Sequence, residues 1–198
     1  MIQLHHRIID FVPEGSRVID LGCGDGQLLS DLKEKKNIEP LGVEIDLDRL
    51  EECVSHGVPV IQMDIDKGLQ LFGDDHFDLA ILRYTLSEVH QPLVVFKEML
   101  RVAKSAVIVF SNFAHWQIRW SLLAKGKMPV SQEFPHEWYD TPNIHFLSIQ
   151  DVERLVRNES ATVLHREFQS PTAFERGLNG FGLSNLTAKT ALFHVKKN

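Results

Sequence analysis

Gly22, Gly24 and Gly26 recur at alternate positions directly after the apolar run Val18-Ile19-Asp20-Leu21, and two carboxylates, Asp20 and Asp25, stand among them. Alternate glycines permit positive φ and let a ligand approach the backbone, and the helix that follows offers unpaired N–H groups in its first turn. The chemistry this suits is nucleotide binding. A dinucleotide fingerprint wants G-x-G-x-x-G, but Gln27 stands at the third position and Gly26 falls one place early. Two carboxylates would also repel a pyrophosphate; they suit a ligand with an ammonium and a sulfonium, a description that S-adenosylmethionine meets. Glu44 lies about 20 residues beyond the glycines, where a carboxylate accepts from both ribose hydroxyls. Asp64 ends the next apolar stretch, where it can accept from an adenine amine with Ile45 and Met63 on the faces of the ring. A glycine cluster alone also reads as a plain strand-to-helix turn, and 64–68 alone as a charged loop; Asp20, Glu44 and Asp64 in series favour the cofactor. With their neighbours Cys23, Ile65 and Arg83 these residues form the candidate cofactor-binding set.

The elements that must position them alternate along the chain. Leu4, Ile8, Ile9 and Val12 share one face of a short leading helix that covers the sheet edge or the ligand. Val18, Ile19 and Leu21 suit a strand buried on both faces, and Leu28, Leu29 and Leu32 recur at helical spacing over 27–36. A strand over 40–46 closes a βαβ unit, a helix over 47–56 leads to a third strand ending at Asp64, and Leu79-Ala80-Ile81-Leu82 reads as a central parallel strand. Arg83-Tyr84-Thr85-Leu86-Ser87 then emerges at its C-terminal end, where ligands of open α/β sheets bind. A helix over 92–102 and a strand over 106–110 continue the rhythm, which predicts a doubly wound Rossmann-like α/β sheet. Residues 112–146 interrupt it with an insert that interleaves Phe113, Trp116, Trp120, Phe134, Trp138, Tyr139 and Phe146 with basic residues. Such a segment is a lid, a substrate pocket or a partner surface, or a helical insertion whose aromatics pack on the sheet. Ser148 and Asp151 have the pattern of a capping box, 161–168 is a strand, 169–185 with Pro171 and its glycines reads as a loop, and 187–197 alternates as a last strand.

The 198 residues, 43% of them hydrophobic, fit one domain over 1–198 that carries the insert. A net charge of -6 argues against a nucleic-acid partner held through phosphates. Cys23 and Cys53 are too few for a disulfide framework or a zinc site and suit a reducing compartment. The histidines lack metal-ligand spacing, so no metal is expected. No secretory core or membrane-length apolar run is present, so we expect a cytoplasmic protein without a membrane partner.

Residues 18–26, Gly42-Val43-Glu44-Ile45-Asp46 and Gln62-Met63-Asp64-Ile65-Asp66-Lys67-Gly68-Leu69 resemble class I S-adenosylmethionine-dependent methyltransferases. The insert motifs Asn112-Phe113-Ala114-His115-Trp116, Lys125-Gly126-Lys127-Met128-Pro129-Val130 and the stretch 138–146 are more specific, and resemble the MetW family of methionine biosynthesis. The resemblance implies a seven-stranded, mostly parallel sheet with an antiparallel last strand. It implies contacts from Asp20, Gly22 and Gly24 to the methionine moiety of S-adenosylmethionine or S-adenosylhomocysteine, from Glu44 to ribose and from Asp64 to adenine. It also implies a link with homoserine O-acyltransferase. Arg83-Tyr84-Thr85-Leu86-Ser87-Glu88 is less typical of that family, and Tyr84 is bulky.

Two functions follow as expectations. One is a cofactor-binding regulator that docks on the acyltransferase through its aromatic insert. The other is a methyltransferase acting on a carboxylate or hydroxyl acceptor near Tyr84, His115 or His145; no Asp/Asn-Pro-Pro-Tyr/Phe motif follows the fourth strand, which disfavours nucleobase amines. An NAD-dependent oxidoreductase rests on the glycines alone and is opposed by Asp20 and the early Gly26.

Overall fold

Branched apolar residues that alternate along a strand must be covered on both sides, and this dictates the layers. The computed structural model describes residues 2–198, with side chains from His6 onward, so the expected place of the Leu4 side chain lies outside the described residues. The chain runs α1 (Ile2–Phe11), β1 (Arg17–Leu21), α2 (Gln27–Lys36), β2 (Glu39–Glu44), α3 (Leu47–Ser55), β3 (Val60–Gln62), β4 (Phe77–Arg83), α4 (Pro92–Val102) and β5 (Ala103–Ser111). There follow α5 (Trp116–Lys125), α6 (Ile149–Asn158), β6 (Ala161–Gln169), α7 (Ala173–Asn179), α8 (Ser184–Thr187) and β7 (Thr190–Lys197).

The strands form one seven-stranded sheet in the order β3-β2-β1-β4-β5-β7-β6. β1 to β5 pair in parallel, and β7 runs antiparallel to both β5 and β6. Val18 faces a core built from Ile8, Leu28, Leu29, Leu32 and Cys53, while Ile19 and Leu21 face a second core containing Phe96, Met99, Phe110, Val152 and Phe193. Helices α1, α2 and α3 therefore cover one face, and α4 and α6 the other. The order reverses between β1 and β4, since β2 and β3 extend one way and β5 the other, and this opens a crevice beyond the carboxyl ends of those two strands.

Local signals set the helix ends. Ser148 and Asp151 form the reciprocal capping box expected for α6, and Asp46 caps α3 by accepting from the Asp48 and Arg49 N–H groups. The stretch 169–185 differs from the expected loop, because it folds into α7 and α8. A second capping box, Thr172 with Glu175, starts α7, and Glu175 is buried where it accepts from the Trp116 indole N–H at 2.8 Å. The signal was present as Thr-x-x-Glu, but the nearby Pro171 and glycines hid it. The insert opens with α5; residues 126–147 have no further helix or strand.

Candidate functional site

After β1 the backbone turns left-handed at Gly22, Gly24 and Gly26, with φ of 76°, 61° and 74°. The three do different work. A Cβ on Gly22 would lie 2.6 Å from the Thr85 hydroxyl, and one on Gly26 would lie 2.7 Å from the Cys53 sulfur, whereas one on Gly24 would meet nothing within 4 Å. Gly26 is thus a packing glycine where α2 meets α3, and Gly24 is the one that leaves the backbone open. Gly26→Ala should cost roughly 3 kcal/mol from the left-handed backbone and the sulfur overlap together, against roughly 1 kcal/mol for Gly24→Ala. Urea unfolding of the two variants checks this, and equal losses would mean that the α2–α3 contact yields.

Two acids of the set differ in their hydrogen-bond partners. Glu44, at the end of β2, is buried, and its carboxylate accepts from three backbone N–H groups: Gly24 at 2.9 Å, Ile45 at 2.8 Å and Asp46 at 3.1 Å. It fastens the hinge to the β2 turn. Asp20 is only 1% exposed, and neither carboxylate oxygen has a hydrogen-bond partner among the described residues. Burial pushes its pKa up from 3.8 to about 7, with the Arg83 charge opposing and the Glu44 charge adding to the rise. A buried anion without partners is costly, and its presence at a crevice marks a place where a cation belongs. Asp25, the other hinge carboxylate, is exposed and accepts from the Gln27 N–H at the start of α2.

The remaining candidates divide by burial. Ile45 is 60% exposed and Met63 half-buried, so both have side-chain surface free for a ring. Asp64 caps the short 3-10 turn Ile65–Lys67 through the Asp66 N–H and lies 3.3 Å from Lys67 Nζ. Ile65 lies in the core and Cys23 is fully buried, so either can reach a ligand only through its backbone. Cys23 and Cys53, 30 residues apart, bring their sulfurs to 3.5 Å as free thiols behind the hinge.

The partners of the residues that follow β3 and β4 were not marked by any local pattern. Thr85 donates to the Leu21 and Arg83 carbonyls beneath Gly22, and Asp66 accepts from the His90 and Gln91 N–H groups to tie the β3 end to the β4–α4 loop. Tyr84 adopts φ 65°, rare for a bulky residue. The end of the insert is clamped here, since the Ser87 carbonyl accepts from Ile144 and His145 and the Ser87 hydroxyl donates to Asn143. Tyr84, Ser87, Glu88, His136, Asn143 and Thr190 help to line a cavity of about 430 Å³ beside β4 and β5. Of the three residues expected near an acceptor, Tyr84 lines it, while His115 and His145 do not; His136 does.

The strand order with its reversed β7, and an acid at the end of β1 and another at the end of β2, define the class I methyltransferase fold. Solved structures agree: an S-adenosylmethionine-dependent methyltransferase from Archaeoglobus fulgidus superposes with TM-score 0.71 at 14% identity over 98% of this chain and 92% of its own. The [4+2]-cyclase SpnF superposes with TM-score 0.68 at 19% identity over 98% of this chain and 80% of its own. The chain belongs to the family described as methionine biosynthesis protein MetW, whose profile matches residues 3–195. It is 35% identical, over 94% of its length, to the bifunctional methionine biosynthesis protein MetXA/MetW of Rhodopirellula baltica, and spans about 32% of that protein. Among the described residues no helix is long and apolar enough to cross a membrane.

Proposed function

We propose that the protein binds S-adenosylmethionine, or S-adenosylhomocysteine, in the crevice above Gly24, and that it acts with the homoserine O-acyltransferase of methionine biosynthesis as a regulator. The unpartnered Asp20 carboxylate carries the cofactor reading, since an ammonium is the ligand group that satisfies it. Gly22 and Gly24 then line the methionine moiety, with the Arg83 charge near its carboxylate. The Glu44 carboxylate, already fixed by three N–H groups, meets the ribose hydroxyls. The ring lies between Ile45 and Met63, with Asp64 and the Ile65 backbone at its polar edge. The sulfonium methyl group is supplied by the cofactor, and the site's own part is to orient it.

Two observations support the partner. A relative joins MetXA and MetW in one chain. In addition, helix α5 leaves apolar side chains in solvent: Trp120 and Leu123 are 61% and 81% exposed, while Ile118 is buried and Trp116 turns its indole N–H to the buried Glu175. Trp138 and Tyr139, also exposed, stack edge to face. Exposed apolar surface of this extent marks an interaction face. The free Cys23 and Cys53 thiols suit the reducing cytoplasm where such a pathway runs. The deciding experiment is calorimetry of S-adenosylmethionine, alone and with homoserine O-acyltransferase, while acyltransferase activity is followed. Coupled binding and activity are expected, with Trp120→Ala weakening the complex about tenfold; an indifferent acyltransferase would remove the regulatory reading.

The cavity beside β4 favours a second reading, methyl transfer to a hydroxyl or carboxylate acceptor held near Tyr84 and His136. Transfer of labelled methyl from the cofactor to a small molecule in cell extract would establish it.

A further inference from the structure

Helix α5 runs along a second cavity of about 390 Å³. His115, Gln117, Ile118, Ser121 and Lys125 of the helix and its cap line one side. Residues 127–131, 133 and 134 of the insert line the other, and Lys189, just before β7, closes the end. We propose that this cavity binds a small anionic ligand, one that presents phosphate or carboxylate oxygens to Lys125, Lys127 and Lys189 and an apolar portion to Ile118, Met128 and Phe134.

Charge is the first argument. The chain carries a net -6, yet this lining holds three lysines against one carboxylate, Glu133. That carboxylate is the second argument, because it acts as a built-in occupant. Glu133 lies 3.1 Å from Lys189 Nζ and also accepts from the Ser131 hydroxyl, so the wall already organises two donors around carboxylate oxygens. The Lys189 side chain is only 22% exposed, which makes its ammonium a stronger partner than a surface lysine.

His115 is the third. It is 2% exposed, its Nδ1 accepts from the Gln117 N–H, and burial lowers its pKa, so the neutral ring carries its hydrogen on Nε2. Among the described residues that N–H has no hydrogen-bond partner, and Glu175, which does not line the cavity, lies 3.6 Å from it. The lining histidine therefore adds no negative charge to the wall and leaves the lysines as its charged donors.

Glu133 and Lys189 also line the cavity beside β4, so their ion pair forms part of the partition between the two. An anion that captures Lys189 releases Glu133 and loosens that partition. Binding itself does not depend on whether the exposed face of α5 docks on anything.

The test is calorimetry of the full chain with sodium pyrophosphate and, separately, sodium succinate, at constant ionic strength with chloride as the control. Saturable one-site binding is expected for at least one, the tighter of the two telling whether the ligand is a phosphate or a carboxylate. Lys125→Ala with Lys127→Ala should weaken it about tenfold, whereas Glu133→Gln, which frees Lys189, should tighten it about fivefold. A merely sticky basic surface would also gain from losing the Glu133 charge, but it would not saturate at one site. Thermal melts matching the parent would show that the exposed lysine changes leave the fold intact. No saturable heat up to about 10 mM of either anion, or the same affinity in the double lysine variant, would overturn the proposal.

Discussion

Asp20→Asn is expected to give a protein that is more stable without ligand and binds S-adenosylmethionine far more weakly. The folded chain holds this carboxyl almost fully buried, without hydrogen bonds, and with its pKa raised from 3.8 to about 7. An acid whose folded pKa lies above its unfolded value destabilises the fold progressively as pH climbs from the lower value to the higher, and uniformly beyond it. At about 1.4 kcal/mol per pH unit, that window is worth up to roughly 4 kcal/mol. Asparagine abolishes the charge but leaves an amide with its own unmet hydrogen bonds, so a net gain of about 2 kcal/mol at pH 8 is expected, with little gain at pH 4. Urea unfolding at both pH values measures it.

The binding side of the same substitution runs the other way. An ammonium ligand needs the ionised carboxylate, so the parent's affinity should fall as pH drops from 7 toward 5.5, approaching tenfold per unit. The asparagine variant should bind at least about a hundredfold more weakly at pH 8 and show no such slope. Undiminished affinity in the variant would take Asp20 out of the cofactor site.

Glu44→Ala should lose both properties together. This carboxylate is buried too, but three backbone N–H groups converge on it, those of Gly24, Ile45 and Asp46. Removing it strands three donors at the hinge, at about 1 kcal/mol each, for a loss of roughly 3 kcal/mol and a melting temperature lower by about 10 °C. Cofactor affinity falls as well, because the hinge is no longer fastened to β2 and the ribose has no acceptor. Glu44→Gln separates the two effects: one oxygen still accepts while the new amide faces an N–H, so it should retain part of the stability and little of the binding. An unchanged melt in Glu44→Ala would mean that water replaces the carboxylate without cost. Two carboxylates on neighbouring strands are thus expected to carry opposite signs in stability and the same sign in binding.

Much of this architecture could be read without coordinates. Val18, Ile19 and Leu21 announce a strand buried on both faces, Leu28, Leu29 and Leu32 a helix, and Ser148 with Asp151 the start of α6, because periodicity and capping act over a few residues. The insert motifs carried the family for the same reason: they are contiguous. Helix α7 was legible in principle through Thr172 and Glu175, but glycines weigh against a helix until a partner such as the Trp116 indole secures it.

The sequence alone set Asp20 and Glu44 on either side of the glycines, and it could not tell the orphaned acid from the triply bonded one. It marked the aromatics of the insert and could not say that Phe113 would stack on Phe146 at 4.3 Å while Trp120 faced outward. It set Cys23 and Cys53 30 residues apart, and only folding brought their sulfurs to 3.5 Å. It named His115 and His145 beside Tyr84, and the structure brings His136, not those two, to the cavity that Tyr84 lines. Helix and strand formation depends on neighbours a few positions away, which are written in order along the chain. Whether a buried polar group has a partner, and which face of a helix meets water, depends on segments that only the closed sheet and the folded insert bring together.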